Sequence, residues 1–259
     1  MIIKTGIIPR AAFSIFGIEI YWYAIFIAIS IVIGYIWAWK HDGMYKIKYD
    51  DILTLSIIMI PVAFICARLY FIAFNLDYYL KYPLEMLDIR NGGLAIYGGI
   101  IGSIVTIAVF SKIKKIHFLD ILDYLAPIIP LGQAIGRWGN YVNIEAYGSE
   151  TTWPIKMEVI EQGITKYVHP TFLYESICSF VLFIVLVLVS RKRKFSGEVA
   201  AIYLMGYSFY RFFIEGLRTD SLMIGNIRVS QLLSLLIFII ILIECAIRTK
   251  REKSKNNKN

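Results

Sequence analysis

The sequence predicts an all-α polytopic membrane protein with about seven transmembrane helices. Of its 259 residues, 58% are hydrophobic, whereas soluble domains usually contain about 45–50% apolar residues. The apolar residues are grouped in long runs, and a transmembrane helix needs about 20 mostly apolar residues. Runs of about this length lie near residues 18–39, 52–74, 93–110, 118–138, 171–190, 199–217 and 229–247.

Basic residues predict the orientation of these helices. The net charge of +8 suggests an acidic partner such as nucleic acid, but more than half of the 27 Lys and Arg residues fall in the connections after the first, third and fifth runs and in the tail 248–259. Cytoplasmic segments of membrane proteins carry such an excess. We therefore expect an N-terminus outside, a C-terminus in the cytoplasm and no nucleic-acid partner.

The connections predict one transmembrane catalytic domain, 1–247, followed by the basic cytoplasmic tail, 248–259. The first run is too long for the core of a signal peptide and no small-residue cleavage site follows it, so we expect a retained span. The longest external connection, 139–170, is predicted to form a small folded extracytoplasmic insert, with a plain loop as the alternative.

The cysteines do not predict a metal or redox site. All three lie inside apolar runs and lack the paired spacing that such sites need. We therefore expect buried thiols and no bound metal. The residues are Cys66, Cys178 and Cys245.

Polar residues are concentrated where the fourth run ends, in the stretch 132–148. Arg137, Asn140, Asn143 and Glu145 lie there, although unpaired polar groups are costly in hydrocarbon. Arg137 and Asn140 are three residues apart and would share one face of a continuing helix. We interpret the stretch as a polar binding site; the alternative is an interfacial arginine that extends its charge towards water.

The sixth run carries a stripe of polar residues. Tyr207, Arg211, Glu215 and Arg218 lie within one narrow band on a helix that turns 100° per residue. An Arg–Glu pair four residues apart adds only a few tenths of a kcal/mol on an aqueous surface, so stability alone does not explain charges in a membrane segment. The stripe is predicted to bind a ligand, with a structural charge network as the alternative.

Glycines mark the start of the third run. In the segment from Asn91 to Gly102, one Gly-Gly pair precedes Tyr97 and another directly follows it. The N-terminus of a helix offers backbone amides to an anion. Gly98 and Gly102 also form a small-xxx-small pair, which commonly indicates close helix packing. The density of glycines, including Gly99, favours a cradle for a lipid phosphate, with helix packing as the alternative.

Two further charges are predicted to support the structure. Arg68 is the one charge within the second run, and an arginine at the centre of a span costs about 2.5–3.5 kcal/mol, so it has to face the bundle interior. Its expected partner is a carboxylate such as Asp123 in the fourth run. In the same run, Pro127 and Pro130 predict an interrupted helix.

The predicted orientation places Tyr97, Arg137 and Arg211 at a similar depth in the outer half of the membrane. The planar guanidinium group of arginine binds two phosphate oxygens while remaining charged. These residues therefore predict a phospholipid phosphate as the ligand.

Four segments of the sequence then resemble one known family. These segments are similar to motifs of the prolipoprotein diacylglyceryl transferases, and matching positions extend from Tyr23 to Arg218. The segments are Asn91-Gly-Gly…Tyr97-Gly-Gly, Gly136-Arg-Trp-Gly-Asn-Tyr-Val-Asn, His169-Pro-Thr-Phe-Leu-Tyr-Glu175 and Tyr207…Arg211…Glu215-Gly-Leu-Arg218.

The resemblance implies an integral enzyme of the bacterial plasma membrane that transfers the diacylglyceryl group of phosphatidylglycerol to the lipobox cysteine of prolipoproteins. A thioether forms, glycerol phosphate is released, and no metal or organic cofactor is expected. Catalytic roles are implied for Arg137, Arg211, Tyr97, Tyr207 and Glu215, phosphatidylglycerol binding for Arg137, Asn140, Gly98, Gly99, Tyr23, Glu145, Gly148 and Arg218, and support for Arg68 and Asp123.

Tyr97 departs from the family pattern, because many members have a histidine at this position. A neutral phenol with a pKa near 10 is a poor base at pH 7, so we expect Tyr97 to donate a hydrogen bond rather than to accept the thiol proton. The alternative function, from another class, is a transporter or lipid flippase that moves an anion past the same arginines.

Overall fold

The computed structural model describes residues 1–88, 92–225 and 227–256, without the side chains of residues 249 and 251–256. Asn91, which opens the glycine-rich motif, lies outside these residues. The α-helices are α1 (Trp22–Lys40), α2 (Tyr49–Ala73), α3 (Leu76–Tyr79), α4 (Ile96–Lys114), α5 (Phe118–Leu125), α6 (Ile128–Asn143), α7 (Thr171–Ser190), α8 (Glu198–Leu217) and α9 (Val229–Asn256). The β-strands are β1 (Ile2–Ile3), β2 (Ala11–Ile15), β3 (Ile18–Tyr21), β4 (Lys156–Glu161), β5 (Ile164–Val168), β6 (Met223–Ile224) and β7 (Ile227–Arg228).

The helices confirm the predicted fold class, an all-α polytopic membrane protein. Within the described residues, six helical segments are long and apolar enough to cross a membrane, and each coincides with a predicted run. The remaining run, 199–217, forms α8, which is of similar length but is not among the six. The total of seven spans therefore stays a prediction. The six segments are Trp22–Lys40, Tyr49–Ala73, Ile96–Lys114, Phe118–Asn143, Thr171–Ser190 and Val229–Arg248.

The fourth span is interrupted, as its prolines predict. Helix α5 ends at Leu125 and α6 begins at Ile128, with Pro127 between them, because proline lacks the N–H that would continue the helical hydrogen bonds. Helix α6 then continues to Asn143. The predicted boundary at 138–139 between helix and insert is therefore wrong, and Asn140 and Asn143 belong to the last helical turn.

Several connections between the helices contain short β-strands. Strands β4 and β5 form an antiparallel hairpin within the connection 139–170, and β1 lies parallel to β4. Residues 18–21, predicted as the start of the first span, instead form β3, and the helix begins at Trp22. The strand reads Ile-Glu-Ile-Tyr, and Ile and Tyr are common in strands; in the sequence these residues merge with the apolar run that follows.

The chain divides into two compact units. The first comprises Met1–Trp37 and Leu122–Asn259, in which α6 packs on α7, α7 on α8 and α8 on α9. The second comprises Ala38–Ile121, in which α2 packs on α4. The core of the first unit includes Ala126, Leu182, Leu186, Val199, Tyr210 and Ile214.

Glycines allow α2 and α4 to approach closely in the second unit. A Cβ atom on Gly102 would lie 2.8 Å from Cys66 Sγ, and one on Gly98 would collide with the Cys66 carbonyl oxygen. Both glycines are buried. The small-xxx-small pair therefore serves helix packing, the alternative reading of this motif, and lipid binding by Gly98 and Gly99 stays a prediction.

Candidate active site

The centre of the polar cluster in the first unit is the carboxylate of Glu175 on α7. This residue is 1% exposed, and its two oxygens pair with guanidinium groups from three positions. Arg211 Nη1 lies 2.8 Å and Arg218 Nη1 lies 3.6 Å from Glu175 Oε1, while Arg137 Nη2 pairs with Glu175 Oε2. A buried charge requires such partners, so α6, α7 and α8 are joined by one ionic cluster.

Helix α8 adds a second buried carboxylate. Arg211 Nη2 lies 2.6 Å from Glu215 Oε2, in an i,i+4 pair, and Glu215 is 2% exposed. Arg211 therefore bridges Glu175 and Glu215. One turn earlier, Tyr207 packs near Tyr203 and Tyr210, with ring centroids 6.0 and 5.4 Å away. Three residues of the predicted polar stripe, Tyr207, Arg211 and Glu215, therefore lie on α8, and the fourth, Arg218, directly follows it.

Arg218 connects this cluster to the protein surface. It follows the end of α8 and forms a bidentate pair with Asp220, with Nε–Oδ1 and Nη2–Oδ2 distances of 2.9 and 2.6 Å. The Asp220 side chain is 51% exposed. The three guanidinium groups of the cluster are therefore matched by three carboxylates, those of Glu175 and Glu215, which are buried, and that of Asp220, which is half exposed.

The end of α6 supplies the amide groups that were predicted to join Arg137. Arg137 Nη1 donates to Asn140 Oδ1 at 3.3 Å, and Asn140 Nδ2 donates to Glu145 Oε1 at 2.8 Å. Asn143 Nδ2 also reaches Glu145 Oε1, at 3.4 Å. Ile144 has a φ of 55°, and this left-handed turn folds Glu145 back towards the helix. The structure therefore brings Arg137, Asn140, Asn143 and Glu145 together.

Tyr23 contacts the same end of α6. A Cβ atom on Gly139 would lie 2.9 Å from Tyr23 Cε2 and would collide with the rest of the ring. The ring of Tyr23 therefore lies directly on the backbone of α6, two residues after Arg137. This contact explains why the Gly-Arg-Trp-Gly-Asn segment has a glycine at 139.

Gly148 ties the ends of α7 and α8 together. Its N–H donates to the His169 carbonyl at 2.9 Å, and the Ser149 N–H donates to the Leu217 carbonyl at 2.8 Å. A Cβ atom on Gly148 would lie 2.7 Å from His169 Cβ and 3.0 Å from the Leu217 carbonyl oxygen. The absence of a side chain thus allows residues 148–149 to pass between the segments that carry Glu175 and Arg218. This packing is a structural reason for a glycine at position 148, and substrate binding by Gly148 stays a prediction.

Asp123 and Arg68 have partners other than those predicted. Asp123 is fully buried and accepts hydrogen bonds from Arg193 Nη1 at 2.9 Å and from the N–H groups of Gly197 and Ala200, at 2.6 and 2.9 Å. It therefore caps the start of α8 and supports the helix that carries Arg211. The predicted pairing of Arg68 with Asp123 is wrong.

Arg68 lies in the second unit, where it binds backbone carbonyl groups. Its Nε donates to Met86, its Nη2 to Glu85 and its Nη1 to Gly92 and Gly93, at distances of 2.6–3.0 Å. Neutral carbonyls thus satisfy the buried guanidinium group and hold the chain that precedes α4. These hydrogen bonds are the observation that favours a structural role for Arg68, which stays a prediction.

Tyr97 lies in the first turn of α4, in the second unit. Its side chain is 50% exposed, and its ring centroid lies 6.4 Å from that of Tyr70. The described contacts give it an aromatic neighbour on α2. Its catalytic role stays a prediction.

Glu175 is the functional residue that sequence reasoning missed. It was the last residue of a quoted motif but received no role, because its partners are distant in the sequence. The signal was available, since Glu175 is a carboxylate within the apolar run 171–190, and the same criterion singled out Arg68 in the second run.

Comparisons with known proteins agree with the resemblance. The family model described as "Prolipoprotein diacylglyceryl transferase" matches residues 10–247. The chain is similar to proteins from three bacteria that are named phosphatidylglycerol–prolipoprotein diacylglyceryl transferase. The protein of Finegoldia magna is 49% identical over 231 residues, covering 89% of this chain and 92% of the relative.

The other two relatives cover similar shares. The protein of Clostridioides difficile is 48% identical, over 88% of this chain and 90% of the relative. That of Clostridium novyi is 44% identical, over 92% of this chain and 96% of the relative. Because the family model spans most of the sequence and these identities extend over nearly whole proteins, the chain belongs to the prolipoprotein diacylglyceryl transferase family.

Proposed function

We propose that the protein is a membrane enzyme that transfers the diacylglyceryl group of phosphatidylglycerol to the lipobox cysteine of a prolipoprotein. The observation that carries this proposal is the buried cluster in which Arg137, Arg211 and Arg218 converge on Glu175. The planar guanidinium groups of these three arginines can each bind two oxygens of a phosphodiester. The names of the relatives support a transferase, and none of the three describes a transporter.

The reaction places its charge where these arginines can stabilise it. The cysteine thiol loses its proton, the sulfur forms a bond to carbon 3 of the diacylglycerol, and the bond between that carbon and the phosphate oxygen breaks. The oxygen keeps the electron pair and leaves as glycerol phosphate. Preoriented donors aimed at such an oxygen are typically worth about 2.7–4 kcal/mol each, and arginine binds phosphate through two parallel N–H groups.

Glu175 orients these groups before the lipid binds. Its two oxygens pair with Arg211 and Arg218 on one side and with Arg137 on the other. Each guanidinium group has further N–H donors that can face a phosphate. The carboxylate thus fixes the spacing of the three side chains and reduces their mutual repulsion.

Activation of the thiol follows from the same charges. A free cysteine has a pKa near 8.5 and is a weak nucleophile until it ionises. A positive field favours the thiolate. We assign the phenol O–H of Tyr97 the role of hydrogen-bond donor and leave the proton acceptor to the solvent or substrate.

The membrane arrangement is part of the proposal. We take α8 as the seventh span and the N-terminus as external, in the plasma membrane of a bacterium, so that the end of α6 and the end of α8 lie in the outer half. This orientation places the arginines at the depth of the outer-leaflet phosphates.

The proposal is tested with purified protein in phosphatidylglycerol vesicles and a synthetic lipobox peptide. We expect the peptide to gain the mass of one diacylglyceryl group, and a peptide with serine in place of cysteine to gain none. An unmodified cysteine peptide in vesicles that hold correctly folded protein would refute the proposed function.

A further inference from the structure

Two β-hairpins are attached in the same way to the first residues of membrane helices. The β2–β3 hairpin closes on α1, where the Trp22 N–H donates to the Arg10 carbonyl at 3.2 Å. The β6–β7 hairpin closes on α9, where the Val229 N–H donates to the Leu222 carbonyl at 3.0 Å. The strands are short, with five and four residues in β2 and β3 and two each in β6 and β7, and each hairpin is held by this bond at the first residue of its helix.

Both hairpins expose large apolar side chains. Phe16, at the tip of β2–β3, is fully exposed, at 101%. An isolated two-stranded hairpin is marginally stable in water, and contiguous exposed apolar surface marks an interaction site. The apolar residues that are about half exposed or more are Phe13, Ile15, Phe16 and Ile18 in the first hairpin, and Leu222, Met223, Ile224 and Ile227 in the second.

The β4–β5 hairpin has a different character. Lys166 Nζ lies 2.7 Å from Glu161 Oε2, and this hydrogen bond to Lys166 lowers the pKa of the Glu161 carboxyl. The Lys156 ammonium lies 4.3 Å from the centre of the Tyr167 ring. The other edge of β4 pairs with β1. This hairpin therefore combines charged pairs with two exposed apolar residues, Ile160 at 65% and Ile164 at 62%.

Continuity with the helices indicates what covers the two apolar hairpins. Helices α1 and α9 are the least buried of the six apolar helical segments in the described chain, with 11% and 6% of their apolar windows buried. Their apolar surfaces are therefore the ones that the described protein covers least. The hairpins extend these apolar surfaces without a break in the chain.

We propose that the β2–β3 and β6–β7 hairpins insert their exposed apolar side chains into the bilayer, at the boundary of headgroups and acyl chains in the leaflet where α1 and α9 begin. In the predicted orientation this is the outer leaflet. Apolar side chains next to the interface bind there through burial in the acyl region. The hairpins would then fix the depth of the outer end of α1, and Tyr23, the second residue of that helix, lies on the backbone of α6 at the arginine cluster.

The test compares dyes at three single cysteines. Phe16→Cys, Ile224→Cys and the matched control Ile164→Cys are made in a background in which the native cysteines are alanine and thermal unfolding shows that the protein is folded. Each is labelled with an environment-sensitive fluorophore and reconstituted in phosphatidylglycerol and phosphatidylcholine vesicles. Doxyl groups on the lipid acyl chains report lipid contact, and iodide reports contact with water.

We expect the dyes at positions 16 and 224 to show blue-shifted emission and quenching by doxyl lipid, and the dye at position 164 to be quenched by iodide. If either hairpin dye behaves like the control, the proposal is overturned. A hairpin dye that is in water until a lipobox peptide is added also overturns it, in favour of a peptide contact. Because no transfer is measured, the result is independent of the proposed reaction.

Discussion

Replacing Glu175 by glutamine tests whether this carboxylate orients the arginines. The substitution keeps the shape of the side chain but removes its charge. Arg211 retains Glu215 at 2.6 Å, whereas Arg137 loses its ion-pair partner and keeps the longer contact to Asn140 at 3.3 Å. The consequence is therefore expected mainly at Arg137, whose guanidinium group is free to shift.

The magnitude follows from the geometry of the cluster. A displacement of about 1 Å in a catalytic group can cost about 10²-fold in rate, which corresponds to about 2.7 kcal/mol at 1.36 kcal/mol per tenfold. Because the positive charge of the cluster increases, binding of an anionic lipid should not weaken. We therefore expect kcat to fall by about 10²-fold for Glu175→Gln while KM for phosphatidylglycerol is unchanged or lower.

The assay measures initial rates of peptide modification in vesicles at several phosphatidylglycerol concentrations. Thermal unfolding of the same samples reports the loss of a buried ion-pair partner, which typically costs about 3–5 kcal/mol. Glu244→Gln is the matched control, since this half-exposed carboxylate pairs with Arg248, outside the cluster, and such pairs contribute about 0–1 kcal/mol. A variant of Glu175 with normal kcat, or with a raised KM alone, would refute the orienting role.

The remaining predictions concern the arginines, Tyr97 and the topology. Arg137→Ala and Arg211→Ala should each abolish most transfer while the protein remains inserted in the membrane. Lysine at either position should restore little activity, because it lacks the planar guanidinium group that binds two oxygens. Normal turnover of either alanine variant would contradict this prediction. Tyr97→Phe should lower the transfer rate about tenfold to a hundredfold, which corresponds to the 1.5–3 kcal/mol of a hydrogen bond to a charged group. Tyr97→His should keep useful activity when rates are measured against pH. A Phe variant with the wild-type rate excludes a chemical role for Tyr97. A cysteine placed near Trp153 should react with an impermeant thiol reagent from outside, and one near Lys114 should not; the reverse pattern excludes the orientation.

The sequence predicts local features of this protein better than its tertiary contacts. The long apolar runs and Pro127 locate the helices and the break in the fourth span, because both effects act within a few residues. The strand Ile18–Tyr21 was missed because its apolar residues merge with the run that follows. The apolar run ends near residue 138, whereas α6 continues to Asn143, and the side chains of Asn140 and Asn143 bond to the nearby carboxylate of Glu145.

Long-range pairs in the site show the same limit. The spacing of Arg211 and Glu215 predicts one face of a helix, and the i,i+4 pair is present. The spacing does not reveal that Arg211 bonds Glu175, 36 residues away, and the partner predicted for Arg68 was wrong for the same reason. Choosing between carboxylates needs the packing of α6, α7 and α8, which no local pattern contains.

The unequal environments of the arginines indicate which one meets the phosphate first. A buried ion pair is weak evidence for stability, because apolar residues of similar volume often serve as well or better, so the cluster is best explained by its chemistry. Arg211 is 15% exposed and is held by two carboxylates, whereas Arg137 is 23% exposed and pairs with one. Less of the charge on Arg137 is neutralised, and less of its surface is covered. We therefore expect Arg137 to receive the phosphodiester and Arg211, fixed between Glu175 and Glu215, to hold the position into which the leaving oxygen moves.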